Sequence, residues 1–402
     1  MGSLSKELRK IQMVVFDRLM RSSENSDEAR LLAEASKQIP KDRRVVIVDS
    51  DLAYGNARAL ALDLNKVLDE DELLFLAYDQ AGLDWAKSNE LPAAIFSTKS
   101  GSNSAALWDK LIRAKVSVYD THNWWRTQDQ LLQRSLLEGS YKIQLWHGAA
   151  GPVCKVVGLE RLDTAKSFWH FTAVATSSVG FDALVNEPTQ AEYRRTTSIL
   201  AKQSIYDVEY RLVDEMINRS WSSPKTKRIL IAPTYSESSV GANELVAWIA
   251  SLVIIAKRNN WEVDIALHPG AKPKLHGSIK RATGIKPNSS TVSTNNLRSY
   301  SAVITDFSAI AHDSLMLGIP TVSVLIDFEN YKLMCPAIED QKQLEIAHIV
   351  REVDELEEKV TKAVQSDSMI ETHESYINEI IQQIGALPGV NTREAILAAL
   401  DQ

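Results

Sequence analysis

Apolar residues recur at three- and four-residue spacing over residues 5–38, with charges between them and no proline before Pro40, a pattern that predicts a helix. The rhythm then changes. Arg43 and Arg44 lead into a short β-branched run, VVIVD over 45–49, suited to a parallel strand buried on both faces. A helix is expected from Asn56 (NARALALDLNKVL). Further strands are predicted at 73–78, 93–98, 116–120, 142–146 and 171–177, with helices between most of them, including 105–114. After a last helix over 207–219 comes SWSSPKTK (220–227), polar, proline-containing and without large aliphatic residues. The alternation resumes with strands at 228–234, 263–268, 291–294, 301–306 and 321–326, a long helix at 243–258 and another from Ser308. From Gln341 the chain reads as helical and acidic, broken at Leu387-Pro388-Gly389.

Short apolar strands alternating with amphipathic helices predict an α/β fold of two Rossmann-like, doubly wound domains facing a cleft. The expected boundaries are a first domain with a leading helix over 1–220, a second over 228–365 and a helical tail over 366–402. A chain of 402 residues is long enough for two such cores.

Composition narrows the function classes. The chain is 45% hydrophobic and 24% charged, as a water-soluble globular protein is, and its net charge of -7 argues against whole-surface attraction to nucleic acid or anionic lipid. Cys154 and Cys335 are too few for a disulfide framework or a zinc cluster of their own. The start, MGSLSKELRKIQMVVF, lacks a secretory leader, and the most apolar stretch, 245–257, falls short of the ~18 residues needed to cross a bilayer. A cytoplasmic protein is expected, with any membrane contact peripheral. Lys6, Arg9, Lys10 and Arg18 beside Leu4, Leu8, Ile11, Val14 and Leu19 supply an amphipathic face that would suit the inner face of the cell membrane or the protein's own domain.

Doubly wound sheets bind ligands beyond the carboxyl ends of their strands, so polar residues there are the candidates. Strand 142–146 runs into His147-Gly148, a histidine with open space in front of it and a pKa suited to general-base work. Strand 263–268 ends likewise in His268-Pro269-Gly270 in the second domain. Strand 301–306 ends in Thr305-Asp306-Phe307-Ser308, where Ser308 stands at a helix amino terminus able to cradle a phosphate. Thr234 and Ser236 follow strand 228–234, Tyr54-Gly55-Asn56 opens the first domain's first helix, and Asp120-Thr121-His122 closes strand 116–120. Asp49-Ser50-Asp51 has the spacing of a metal-holding pair but terminates a strand of a doubly wound domain, and no metal is predicted there. The chain has no GxxxxGK[ST] loop, no GxGxxG after the first strand, no HExxH and no GxSxG elbow.

Leu145-Trp146-His147-Gly148, then 229–234 (ILIAPT), then Leu267-His268-Pro269, then 304–308 (ITDFS) with Gly318-Ile319-Pro320, stand in the order seen in the CDP-glycerol glycerophosphotransferase family, which the chain resembles over about residues 44–335. The stretch from Asp49 to Leu60 resembles that family's acceptor-side domain. The resemblance implies a GT-B fold and transfer of a polyol phosphate, glycerol- or ribitol-phosphate, from a CDP-linked donor to a hydroxyl of a glycan or polyol acceptor, with release of CMP, in teichoic-acid or capsule synthesis. It implies His147 as base, His268 at the donor phosphates, Thr234, Thr305, Asp306 and Ser308 around the donor, and Asp51, Tyr54, Asn56 and Gly148 on the acceptor side. No resident cofactor is required. The expected partners are the nucleotide-diphosphate donor and an acceptor that a lipid carries in some systems, with no nucleic acid. The sequence departs from the family's pattern in three places. Residues 198–207 replace a Gly-x-Pro-Arg-x-Asp segment, Ala309 replaces a second serine, and 149–155 replace a Thr-Pro-x-Lys run. A GT-B glycosyltransferase using a nucleotide sugar and a non-catalytic binding protein of the same fold are the competing readings.

Overall fold

The structure is a computed structural model that describes residues 26–50, 55–96, 105–120, 128–145, 181–186, 201–218, 222–233, 241–267, 271, 273–288, 294–308, 310–325, 348–366 and 371–402. It divides into two compact units, each built on one parallel sheet.

In the first unit the strands are β1 (Asp42–Val48), β2 (Leu73–Ala77), β3 (Ala93–Ile95), β4 (Ala114–Tyr119), β5 (Tyr141–Gln144), β6 (Phe181–Asn186) and β7 (Ala201–Tyr206). They lie in the order β3-β2-β1-β4-β5-β6-β7, every pairing parallel. Val45, Val46 and Ile47 of β1 are fully buried, as the β-branched run predicts for a central strand. The helices α1 (Ser26–Gln38), α2 (Asn56–Leu64), α3 (Gln80–Ser88), α4 (Ala105–Ile112) and α5 (Gln128–Leu136) alternate with the strands. One core layer joins Val46, Val48, Leu74, Leu76 and Tyr119 to Leu107, Leu111, Leu132 and Leu136 of α4 and α5.

The second unit orders its strands β12-β11-β10-β8-β9, again parallel, from β8 (Arg228–Ile231), β9 (Glu262–Ile265), β10 (Ala302–Thr305), β11 (Thr321–Val324) and β12 (His348–Val350). Its core packs Ile229, Ile231, Ile304, Val322 and Val324 against Trp248, Ile249, Leu252 and Val253 of a long helix, Gly241–Arg258, and Val360 and Val364 of another, Leu356–Gln365. In both sheets the strand order reverses beside the first strand, between β1 and β4 and between β8 and β10. Helices leave on opposite sides at such a point and open a crevice at the strands' carboxyl ends.

Three strands escape the sequence pattern. Edge strand β7 carries Lys202, Gln203 and Ser204, β6 begins Phe-Asp, and β12 is three residues inside a stretch read as helical. The edge strands β7 and β12 lack the continuous apolar run that marks central ones, while β6, between β5 and β7, is interrupted by Asp182. The helix expected over 207–219 is a 3-10 turn (Tyr210–Leu212) running into Val213–Asn218. Of the strand expected at 291–294, Thr294 instead begins a short helix, Thr294–Leu297, and the rest lies outside the described residues, as does 171–177.

The stretch 366–402, read from the sequence as one tail, is shared between the units. Helix Glu371–Ile384 goes almost entirely with the second, and the last helix, Val390–Asp401, packs on β1, β4 and β7 of the first. Gly389 opens that last helix at φ +83, and a Cβ there would sit 3.0 Å from Val213 Cγ2, so the Leu-Pro-Gly break needs its glycine. Asp207, buried beyond the end of β7, clasps the helix: its carboxylate accepts from the N–H of Gly389 (2.8 Å), the N–H of Thr392 (2.9 Å) and Thr392 Oγ1 (2.8 Å). Asn391 Nδ2 adds a bond to the Tyr206 carbonyl at 2.9 Å.

Candidate active site

At the first unit's reversal point, β1 passes into Asp49 and Ser50, and β4 into Asp120. Val48 and Tyr119 are register partners, so Asp49 and Asp120, the next residues of each strand, stand side by side. Asp49 is paired: Arg58 of α2 donates Nη2 to Oδ2 at 3.0 Å, and the Arg58 guanidinium lies over the Trp85 ring at 5.0 Å. Burial pushes the Asp49 carboxyl up, and Arg58 opposes that.

Asp120 is 1% exposed, and among the described residues its oxygens meet only the Ala57 N–H, short of full hydrogen-bond geometry. Burial, and then the neighbouring Asp49, push its pKa up to about 8, while Arg211 and the Ala57 N–H pull the other way. Above it, Gly55 at φ +95 turns the chain into α2. Asn56, fully buried, accepts from the Arg211 N–H at 3.0 Å through Oδ1 and so ties α2 to the 3-10 turn. Tyr210 donates to Asp63 at 2.6 Å in the same seam, and Arg211 pairs with Glu209 at 2.7 Å. Two further buried groups at these strand ends, Ser50 Oγ and the Gln144 amide, have no hydrogen-bond partner among the described residues. β5 ends at Gln144, with the Leu145 N–H still bonded to the Tyr119 carbonyl at 2.8 Å. Asp51, Tyr54, His147 and Gly148 lie outside the described residues.

At the second unit's reversal point, Thr305 closes β10. Its hydroxyl, fully buried, donates to the Ala232 carbonyl at 2.7 Å and ties the ends of β10 and β8 together, while Ala232 N–H donates to Ile304 at 2.9 Å. Thr305 therefore shapes the turn from beneath. Asp306 folds back to accept from the Phe307 N–H at 2.7 Å. Ser308, half-buried, has its carbonyl bonded by the Ala311 N–H at 3.0 Å, and its Oγ stands 3.5 Å from the Ile310 nitrogen at the start of helix Ile310–Met316. Gly318-Ile319-Pro320 closes the unit, since the Pro320 carbonyl accepts the Val303 N–H at 2.9 Å. Thr234 and His268, which follow β8 and β9, lie outside the described residues.

The structure thus brings Asn56 beside the β1–β4 reversal and Thr305, Asp306 and Ser308 to the β8–β10 reversal. The sequence reading passed over Asp120 as a buried acid and the Asp49–Arg58 pair. Their only sequence signal is an acidic residue at each strand end, which says nothing of burial. Among the described residues, no three His, Cys, Asp or Glu side chains converge to hold a metal.

Two parallel Rossmann-like units, each with polar groups gathered at its reversal point, are the α/β architecture of the GT-B type. A family model described as CDP-Glycerol:Poly(glycerophosphate) glycerophosphotransferase matches residues 31–381, and the chain belongs to that family. It is an enzyme of the CDP-glycerol glycerophosphotransferase kind. Among solved structures, it is similar to the wall teichoic acid polymerase TagF, with TM-score 0.59 and 15% identity over 98% of each chain. A TagF variant soaked with CDPG gives TM-score 0.58 and 14% identity over 100% of this chain and 98% of that one. At these identities the likeness shows the fold. A search of curated protein sequences finds no match.

Proposed function

We propose that this enzyme moves glycerol phosphate or ribitol phosphate from a CDP-linked donor to a hydroxyl of a glycan or polyol acceptor, releasing CMP, in the synthesis of teichoic acid or a related capsule polymer. The observation that carries this reading is the family match across 31–381, with the family's motifs falling at or directly after the carboxyl ends of β5, β8, β9 and β10.

In the proposed step the acceptor oxygen attacks the donor's polyol-bearing phosphorus in line. A new O–P bond forms, the P–O bond to CMP breaks, and His147 takes the acceptor's proton. His268 offsets the charge that grows on the leaving CMP. Thr234 and Ser308 offer the donor their hydroxyls, Asp306 lies beside them, and Thr305 holds that turn in place. Asp51, Tyr54, Asn56 and Gly148 form the acceptor side, Asn56 by anchoring α2. Positioning and charge stabilisation supply the catalysis, with no resident cofactor. The acceptor is a polymer end or a lipid-linked primer reached at the cytoplasmic face of the membrane. Among the described residues, no helix is long and apolar enough to cross one.

Purified protein given CDP-glycerol or CDP-ribitol and a polyol-phosphate acceptor is expected to release CMP. His147→Ala is expected to cut the rate about 10²–10⁴-fold with donor affinity kept. Release of UDP or GDP from a nucleotide sugar, with a glycosylated product and no CMP from either CDP donor, would overturn the assignment.

A further inference from the structure

The pairing with Asp49 uses only part of the Arg58 guanidinium. The pair lies at the carboxyl end of β1, beside the reversal point where doubly wound sheets take their ligands. Asp49 occupies the side edge of the guanidinium fork, with Nε 3.4 Å from Oδ1 and Nη2 3.0 Å from Oδ2. The Trp85 ring lies against the same group at 5.0 Å. Gly82, in the first turn of α3, comes so close that a Cβ there would stand 2.8 Å from Asp49 Oδ2 and 3.5 Å from Arg58 Nη2. The helix that carries Arg58 is itself fixed at two places: Asn56 accepts from the Arg211 N–H at 3.0 Å, and Asp63 accepts from Tyr210 at 2.6 Å. The end edge of the fork, Nη1 with the second N–H of Nη2, has no partner among the described residues. The Arg58 side chain keeps 24% of its surface exposed, against 1% for Asp49.

A guanidinium presents parallel N–H groups along its end edge, matched to two oxygens of a phosphate, and a pinned one loses little further freedom when it binds. Of the other acids near the pair, Asp79 accepts from the Gly82 N–H at 2.8 Å, and Asp120 is buried at the end of β4. With those acids nearby, the open edge supplies geometry more than net positive charge, and it suits a phosphate carried by a molecule that other contacts also hold. We propose that Arg58 is a specificity-determining residue of the acceptor side: its open Nη1–Nη2 edge takes the phosphate of a polyol-phosphate acceptor and so sets where that acceptor's hydroxyl lies. This deepens the transfer reading and rests on it. No bond to phosphorus forms or breaks at Arg58, which stays protonated throughout. An acceptor with the same hydroxyl but no phosphate loses that hold.

The experiment uses the full chain as wild type, as Arg58→Lys and as the double variant Asp49→Asn with Arg58→Gln. Lysine keeps a charge for Asp49 but loses the fork, and the double variant exchanges the ion pair for a neutral one, so neither strands the buried carboxylate. CMP release from CDP-glycerol is measured with sn-glycerol 3-phosphate and with glycerol as acceptors. The ratio of their kcat/KM values is expected to favour the phosphate in the wild type and to fall about tenfold or more in both variants, with the KM for CDP-glycerol kept within about twofold. An unchanged ratio, or a loss that falls on the KM for CDP-glycerol instead, overturns the proposal. A second measurement needs neither turnover nor a variant. Phenylglyoxal is expected to modify Arg58 in the wild-type chain, and sn-glycerol 3-phosphate to slow that modification severalfold, as read by peptide mass spectrometry, while glycerol does not. Inorganic phosphate at the same concentration should protect far less, and equal protection would mean a general anion site and overturn the acceptor assignment. Arg58 left unmodified, or modified at the same rate with sn-glycerol 3-phosphate present, overturns it as well. Should no CMP be released under any condition, the transfer reading fails, and the protection result alone decides whether Arg58 holds a phosphate; it decides likewise if the variants do not fold.

Discussion

Asp49 and Asp120 are adjacent acids on adjacent strands, and their surroundings differ. Asp49 has Arg58, a guanidinium lying over the Trp85 ring, and among the described residues no cation is bonded to Asp120. Removing Arg58 would strand the Asp49 carboxylate in the core, at a cost of about 2–4 kcal/mol for Arg58→Ala at neutral pH. The sign of the pH dependence follows. Burial already raises the folded pKa of Asp49 above the ordinary 3.8, and Arg58 is what restrains it, so the variant's folded pKa climbs further. The folded state then binds more protons than the unfolded one between those two values, and stability falls as pH rises through that window. R58A should therefore be close to wild type at or below about pH 4 and progressively weaker towards neutrality. Urea unfolding at a series of pH values measures this, and a deficit independent of pH would show that Arg58 acts through packing on Trp85 alone. At this scale the sequence was legible in part: an acid at each strand end could be read, but not which of them Arg58 would serve.

Among the elements, the last helix is the one whose place depends most on remote partners. Val390–Asp401 has a modest apolar face, and it is held by the Asp207 clasp across 185 residues, by Lys115 Nζ donating to the Leu400 carbonyl at 2.8 Å, and by the Arg43–Asp401 pair at 3.2 Å. The two surface charges contribute little each, and the buried carboxylate with three donors from Gly389 and Thr392 contributes most. Asp207→Ala is expected to destabilise the first unit by about 3 kcal/mol and to speed hydrogen exchange in 390–401 before anything in the second unit changes. Uniform exchange across the chain in that variant would mean that the helix is not a separable element. Asp207 closes the stretch 198–207, where the sequence departs from its family's usual segment, and its clasp gives that aspartate a structural task. The helices from Asn56 and over 243–258 were legible because their apolar spacing is local, but the first ends at Leu64 and not at Leu68, and the second begins at Gly241. The edge strands β7 and β12 were not legible, because a short or polar edge strand is specified by the neighbour it pairs with.

For the whole molecule, two parallel sheets with reversal points beside their first strands give one chain two strand-end crevices of the kind at which such sheets bind ligands. If the second unit takes the donor's nucleotide, CMP and CDP should raise the melting temperature, by the equivalent of about 2.7 kcal/mol at a hundredfold excess over Kd. UMP and GDP should shift it far less. A scan in which all of these act alike would remove the case for a cytidine donor.

The sequence by itself determined the α/β class, the parallel strands, the small-residue and histidine motifs after them and the family, because contiguous burial and local turn chemistry are written in neighbouring residues. Only the tertiary structure decided which strand ends meet, that Thr305 is spent on Ala232, that Asn56 is latched to Arg211 from 155 residues away, and that Asp120 is buried next to Asp49. Desolvation and pairing depend on what the fold brings alongside a group, and spacing along the chain does not carry that information.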